Sequence, residues 1–240
     1  MLTDVITGLA RQGYLAQAVF GAVLSAAGAA GTATDTVILL TATARVHQNI
    51  HCLTQRDADE RVSGYVTSIL QWLSETSLPI VVVENSGYDF PQVPRSRRLE
   101  VLSFKESDQP DAAYLQGASS KGKHEFYAID YALRNSRFLS RCGFVVKVTG
   151  RYFVPQMEGI LAAMPAGTSA LRQQDPGRCE IVGASAAAVP TVFHKYAEDN
   201  HVEDVWRRRL DGLGGHVLSL PSLPIPATRA GGNGSVVTEL

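Results

Sequence analysis

Basic side chains stand at strand ends and helix starts, the places from which a chain presents charge to a ligand. Lys147 lies inside the apolar run Phe144 to Val148, where it must either snorkel or meet an anion, because an unpaired ammonium in a core is costly. Arg151 follows directly, in Thr149-Gly150-Arg151-Tyr152. A guanidinium there can hold a phosphate or a developing anion through charge-assisted, bidentate hydrogen bonds, or close a structural salt bridge. Tyr152 is equally compatible with core packing. Lys121 and Lys123 open a helical pattern, where charge and free amides favour an anion. Glu203 and Asp204 precede the helical pattern Val205, Trp206, Leu210. A carboxylate at such a place can act as a general base, and Glu203 can instead complete a capping box begun by Asn200.

Other groupings carry less. Gly117-Ala-Ser-Ser-Lys-Gly-Lys123 nearly spells a phosphate-binding loop, but a polar stretch precedes it and His124 replaces the final hydroxyl. It leaves a phosphate-handling α/β enzyme as an alternative reading. His47 and His51, next to Cys52, have the spacing of two metal ligands on one helical face but lack a third. Asp57 and Asp59 fit the first turn of a helix, with Thr54 as N-cap, better than a metal-binding pair. Neither GxSxG nor GxGxxG occurs, so those routes to a hydrolase elbow or a dinucleotide fold have no support.

The elements that must position these groups alternate. Thr36 to Ala42, Leu78 to Glu84, Leu99 to Phe104 and Phe144 to Thr149 are short apolar runs expected to form buried strands. Further strands are expected near Ser169 to Gln173 and Glu180 to Gly183. Helices are expected over Thr54 to Glu75, where Val62, Val66, Ile69, Leu70 and Leu73 share a face, and over His124 to Asn135, burying Phe126, Ile129 and Leu133. A shorter one is expected near Pro155 to Met164. The order predicts a single α/β domain with a mostly parallel, Rossmann-like sheet flanked by helices, its ligands beyond the carboxyl ends of the strands. Its expected limits are residues 36–220. Residues 221–240, rich in Pro, Gly and Ser, are expected to be an irregular tail or flap.

Composition sets the outer bounds. The 240 residues are 45% hydrophobic and 19% charged, with 22 basic against 23 acidic side chains and a net charge of −1. A core can form unaided, and no net field draws the surface to nucleic acid. The three cysteines, Cys52, Cys142 and Cys179, lack CxxC spacing and give no disulfide framework. Within residues 1–35, Tyr14 to Ala30 is compatible with a weak signal peptide or signal anchor, and so with membrane association or a secretory location, or with an Ala-rich helix packed on the domain of a cytoplasmic protein.

Taken together, Thr36 to Thr43, Val81 to Gly87, Lys121 to Leu133 and Lys147-Val-Thr-Gly-Arg-Tyr-Phe153 resemble, in order and spacing, a nucleotide-diphospho-sugar transferase of the GT-A type. More narrowly, the chain is similar to a group of small glycosyltransferase-like proteins with a K-[VI]-T-G-R-Y-[FY] strand end. The resemblance spans Thr36 to Ser235 and includes Gly231-Gly-Asn-Gly-Ser235. It implies a nucleotide-sugar donor and a glycan or other hydroxyl acceptor. Thr41, Ala42, Thr43, Glu84 and Asn85 would contact the base or ribose, with Lys121, Lys147, Thr149, Gly150 and Tyr152 completing the donor site. Glu84 and Asn85 could also simply satisfy a turn. Where the family pattern has a metal-binding DxD, this chain departs from it with Thr149-Gly150-Arg151, and because a fixed guanidinium can stabilise a leaving group's charge, Arg151, aided by Lys147 or Lys121, is expected in the metal's place. No cofactor is firmly implied. Glu203 or Asp204 would be the base. A non-catalytic nucleotide-sugar or glycan-binding module is the other alternative.

Overall fold

Strand β1, Thr36–Ala42, is buried along its whole length, and its alternating side chains divide the core in two. Ile38 and Leu40 face one cluster while Val37 and Leu39 face the other. An uninterrupted apolar run suits a strand covered on both sides. The computed structural model describes residues 35–46, 50, 53–175, 177–194, 201–214 and 216–240. The expected helix at Tyr14 to Ala30 and the His47, His51 and Cys52 grouping lie outside the described residues. No described helix is long and apolar enough to cross a membrane.

Helix α1, Ala58–Glu75, covers the first face with Tyr65, Ile69 and Trp72. Asp57 caps it, accepting from the Glu60 amide at 2.8 Å, so Thr54 is not the cap. The buried stripe is also rotated from the expected one. Leu70 is exposed, whereas Tyr65, Trp72 and Arg61 are buried, because the larger aromatic rings take the inner face. Strands β2, Ile80–Glu84, and β3, Leu99–Ser103, extend the sheet from β1 in parallel. Two 3-10 segments, Glu106–Asp108 and Pro110–Leu115, fill the expected loop and lead into α2, Lys121–Asn135. No strand aims the Gly117 loop. Phe126 and Ile129 of α2 are buried in the second cluster, with Leu133 half-buried beside them.

Strand β4, Phe144–Thr149, pairs in parallel with the other side of β1. After the short helix α3, Met157–Ala162, come β5, Ala170–Gln173, and β6, Ile181–Ser185. β6 runs antiparallel to both β4 and β5, because the short Gln174 to Glu180 connection allows a return but not a crossover. Helices α4, Val189–Val192, and α5, Val202–Asp211, cover the second face, with Trp206 stacked on Phe126 at 4.2 Å between ring centroids. Strand β7, Val217–Leu220, closes a seven-stranded sheet of order β3-β2-β1-β4-β6-β5-β7. The chain is thus a single α/β domain whose sheet is mostly parallel and flanked by helices.

The segment expected to be irregular is instead an antiparallel ribbon of β8, Pro224–Arg229, and β9, Val236–Glu239. Leu223, Ile225 and Leu240 join the α1-side core, so the ribbon belongs to the domain rather than following it. Pro and Gly mark its edge position and turn.

One carboxylate anchors the far end of the sheet. Glu100 on β3 accepts from Ser136 Oγ at 2.6 Å, the Arg137 amide at 3.2 Å and the Phe138 amide at 3.3 Å. Burial alone would raise its pKa, but these hydrogen bonds hold it below the ordinary value of 4.5. A depressed folded-state pKa stabilises the fold above the unfolded value and loses that contribution as pH falls through the folded one. Glu100→Gln should therefore lower the melting temperature at pH 7, and the gap from wild type should narrow below about pH 4.5, as thermal melts across pH would show.

Candidate functional site

The strand order turns at β1. β2 and β3 lie on one side and β4 on the other, so the loops leaving β1 and β4 diverge and open a crevice at their carboxyl ends. A cleft of about 590 Å³ occupies this position, within the usual range for a small-molecule site. Thr41, Ala42, Thr43, Asn85, Lys121, Thr149, Arg151, Tyr152 and Glu203 all line it, so the fold brings most of the candidate residues together.

The end of β4 is shaped by Gly150. Its amide donates to the Thr41 carbonyl at 2.9 Å, and a Cβ there would lie 2.5 Å from that oxygen, so only glycine fits. The tight approach leaves no room for an acidic side chain between Thr149 and Arg151. The donor set at this strand end is a hydroxyl and a guanidinium, which does not suit a divalent cation. Trp72 Nε1 holds the Tyr152 carbonyl at 3.0 Å, fixing the following turn.

Arg151 enters the cleft and donates to Gln55 Oε1 at 2.7 Å. Its guanidinium packs on Gly231 of the ribbon turn, where a Cβ would fall 2.5 Å from Nη1. The turn is tied down by the Thr54 amide, which donates to the Gly231 and Gly232 carbonyls at 3.1 Å. A second guanidinium, Arg61, reaches the same place from α1. It donates to the Thr43 carbonyl at 2.8 Å, the Gln55 carbonyl at 3.2 Å and the Tyr65 hydroxyl at 2.8 Å. Arg61 and Arg151 each lie 5.7 Å from the Tyr65 ring centroid. Burial lowers the Arg61 pKa and the neighbouring Arg151 charge pushes the same way, outweighing Tyr65 and the Glu84 carboxylate, which act to raise it. Among the described residues, neither guanidinium has a carboxylate within ion-pair distance. Two neighbouring guanidiniums, with only the more distant Glu84 carboxylate acting on Arg61 among the described residues, suit an anion.

Beneath this floor Lys147 is fully buried. Its Nζ lies 2.6 Å from Glu125 Oε1, 2.9 Å from the Cys179 carbonyl and 3.5 Å from Thr149 Oγ1. The same Glu125 oxygen accepts from Thr41 Oγ1 at 2.8 Å. Desolvation alone would lower the Lys147 pKa, but the Glu125 carboxylate outweighs it and raises it. The lysine therefore meets an anion of its own chain. It braces the cleft floor rather than lining the cleft. Burial also pushes the Cys179 thiol far above its ordinary pKa, which disfavours the thiolate.

Glu84 likewise turns inward. It accepts from the amides of Ala44 at 2.8 Å, Ser86 at 3.0 Å and Tyr88 at 2.7 Å, and from the Ser86 hydroxyl. Its carboxylate stitches the loop after β1 to the turn after β2, leaving Asn85 to face the cleft. Glu203 faces the cleft beside Cys179, with Sγ 3.9 Å from Oε1. His201 is the N-cap of α5. Asp204 pairs with Arg207 at 2.6 Å on the exposed side of that helix and does not line the cleft.

Arg61, Tyr65, Gln55 and Glu125 are candidate-site residues that the sequence motifs do not mark, whereas the Gly231 turn lies in the segment that shared the resemblance. Arg61 did leave a signal, since it falls four residues before Tyr65 on the stripe continued by Ile69 and Trp72. A charge on an apolar stripe marks a buried ionic function.

No family model and no curated protein matches the chain. Among solved structures it is similar to a protein of Desulfovibrio desulfuricans G20, itself provisionally described as a nucleotide-diphospho-sugar transferase. The identity is 14% and the TM-score 0.48, over 78% of this chain and 80% of that one.

Proposed function

We propose that this chain is a glycosyltransferase that moves a sugar from a nucleotide diphosphate donor to a hydroxyl of a glycan-type acceptor, without a DxD-bound metal. The observation that carries this reading is the Arg61 and Arg151 pair, two guanidiniums without a carboxylate at ion-pair distance among the described residues, at the crevice where an open α/β sheet takes its ligand. The donor diphosphate lies against Arg151, with Arg61 behind it and Lys121 at the start of α2. As the bond from the anomeric carbon to the phosphate oxygen breaks, that oxygen gains negative charge. A fixed guanidinium stabilises this charge most when it is fully developed. The acceptor oxygen bonds to the anomeric carbon and its proton passes to Glu203, the cleft-facing candidate for this step.

Calorimetric titration of UDP-, GDP- and dTDP-sugars in EDTA tests the donor site. At least one should bind, with unchanged affinity when magnesium is added. Binding that appears only with magnesium would overturn the metal-free account, and binding of ATP or GTP alone would overturn the transferase reading. Glu203→Gln should leave donor affinity unchanged while lowering turnover by about 10²-fold or more. Equal turnover would remove Glu203 from the reaction.

A further inference from the structure

Behind the wall of the cleft formed by Thr43 and Asn85 runs a chain of hydrogen bonds whose direction is fixed from its far end. His124, buried at the first turn of α2, places Nδ1 2.6 Å from Glu106 Oε2 and Nε2 3.2 Å from the Ala118 carbonyl. Both partners can only accept, so both ring nitrogens carry protons. Burial alone would lower the His124 pKa, but the Glu106 carboxylate and the Ala118 carbonyl outweigh it and raise it. The other Glu106 oxygen, Oε1, lies 2.5 Å from Asn85 Nδ2. The Glu106 carboxylate accepts from both neighbours, which sets the Asn85 amide with its nitrogen toward it. Its oxygen must point the other way, where it accepts from Thr43 Oγ1 at 2.7 Å. While Thr43 Oγ1 gives its proton to Asn85, it offers its lone pairs to the cleft. Two acceptors 2.7 Å apart therefore stand on one wall of the cleft.

Among the nucleobases, two adjacent donors occur on the guanine edge, at N1–H and N2–H. Adenine and cytosine set an amino group beside a bare ring nitrogen. Uracil and thymine flank their ring N–H with carbonyl oxygens. Each of these leaves one protein acceptor facing another acceptor, a mismatch that a buried site rejects. The Arg45 amide donates to Ser86 Oγ at 2.9 Å beside this wall, and Val46, Ile50 and Leu53 line the same cleft with apolar side chains.

Resting on the donor-site reading above, we infer that the cleft selects a guanine nucleotide, and that Glu106 and His124 set this choice by fixing the Asn85 amide. The two are positioning residues. The test is calorimetric binding of GDP, UDP, CDP and ADP to the whole chain in EDTA. GDP should bind at least about tenfold more tightly than each of the others. In Glu106→Gln the new amide can donate to Asn85, which frees that side chain to turn, and the GDP preference should fall toward parity. Thr43→Val removes one acceptor and its hydrogen bond to Asn85 while leaving the Glu106 and His124 contacts in place, and should do the same, with melting temperatures recorded for both. A merely structural role would weaken all four nucleotides alike and leave their ratios unchanged. UDP, CDP or ADP binding as tightly as GDP to the wild type would overturn this inference alone. Binding of none of the four would overturn it together with the transferase reading.

Discussion

Arg151→Ala is expected to weaken nucleoside diphosphate binding by about 10- to 100-fold, the worth of a charge-assisted hydrogen bond to a phosphate. Turnover should fall further, by about 10²- to 10³-fold, because a fixed donor acts most strongly on charge that develops in the transition state. Arg151→Lys should recover little, since a lysine cannot present two parallel donors. The fold should be nearly untouched. Arg151 hydrogen-bonds only to Gln55 among the described residues and lies over Tyr65, so the melting temperature should stay close to wild type. Gly231→Ala makes the complementary test. It leaves every charge in place but puts a methyl group where the guanidinium packs, so it should weaken binding in the same direction. Titration of both variants with nucleoside diphosphate checks the pair of results.

Lys147→Met should instead destabilise the whole domain, by about 3 kcal/mol in chemical denaturation. The lysine ties β4 to α2 through Glu125 and to the loop before β6 through the Cys179 carbonyl. Removing it strands the Glu125 carboxylate under the cleft. The cost sits at the low end for a broken buried pair because the Glu125 side chain is 21% exposed and can draw water from the cleft. Adding Glu125→Leu should restore part of the loss, since an apolar pair does not pay the desolvation of an unpaired charge. A Lys147→Met protein as stable as wild type would mean that the pair contributes nothing.

The parallel core was readable because its strands leave little choice. A run such as Val81-Val-Val83 between turn residues has one economical fate, and β1 and β4 fall on the expected residues. The ribbon was not readable, since Pro and Gly hide the short alternation around Ile225 and since Leu240 is buried only by contacts distant in sequence. The site divides in the same way. Arg151 and Asn85 follow directly from strand ends, where a side chain can only point beyond the sheet. Glu84 and Lys147 also sit on strands, but whether such a charge faces a ligand or its own chain depends on partners that no local pattern reveals. Those partners proved to be three backbone amides for Glu84 and a carboxylate from α2 for Lys147. Arg61 reached the cleft through the rotation of α1, which Tyr65 and Trp72 set by packing.

The central claim is that paired guanidiniums take the place of a metal ion in the proposed transfer. Its most direct test is the release of nucleoside diphosphate from sugar donors, with water or simple glycosides as acceptors, measured in EDTA and then with added magnesium. Equal release under both conditions, lost in Arg151→Ala, is the predicted result. Release that requires magnesium, or that survives in Arg151→Ala, would contradict it.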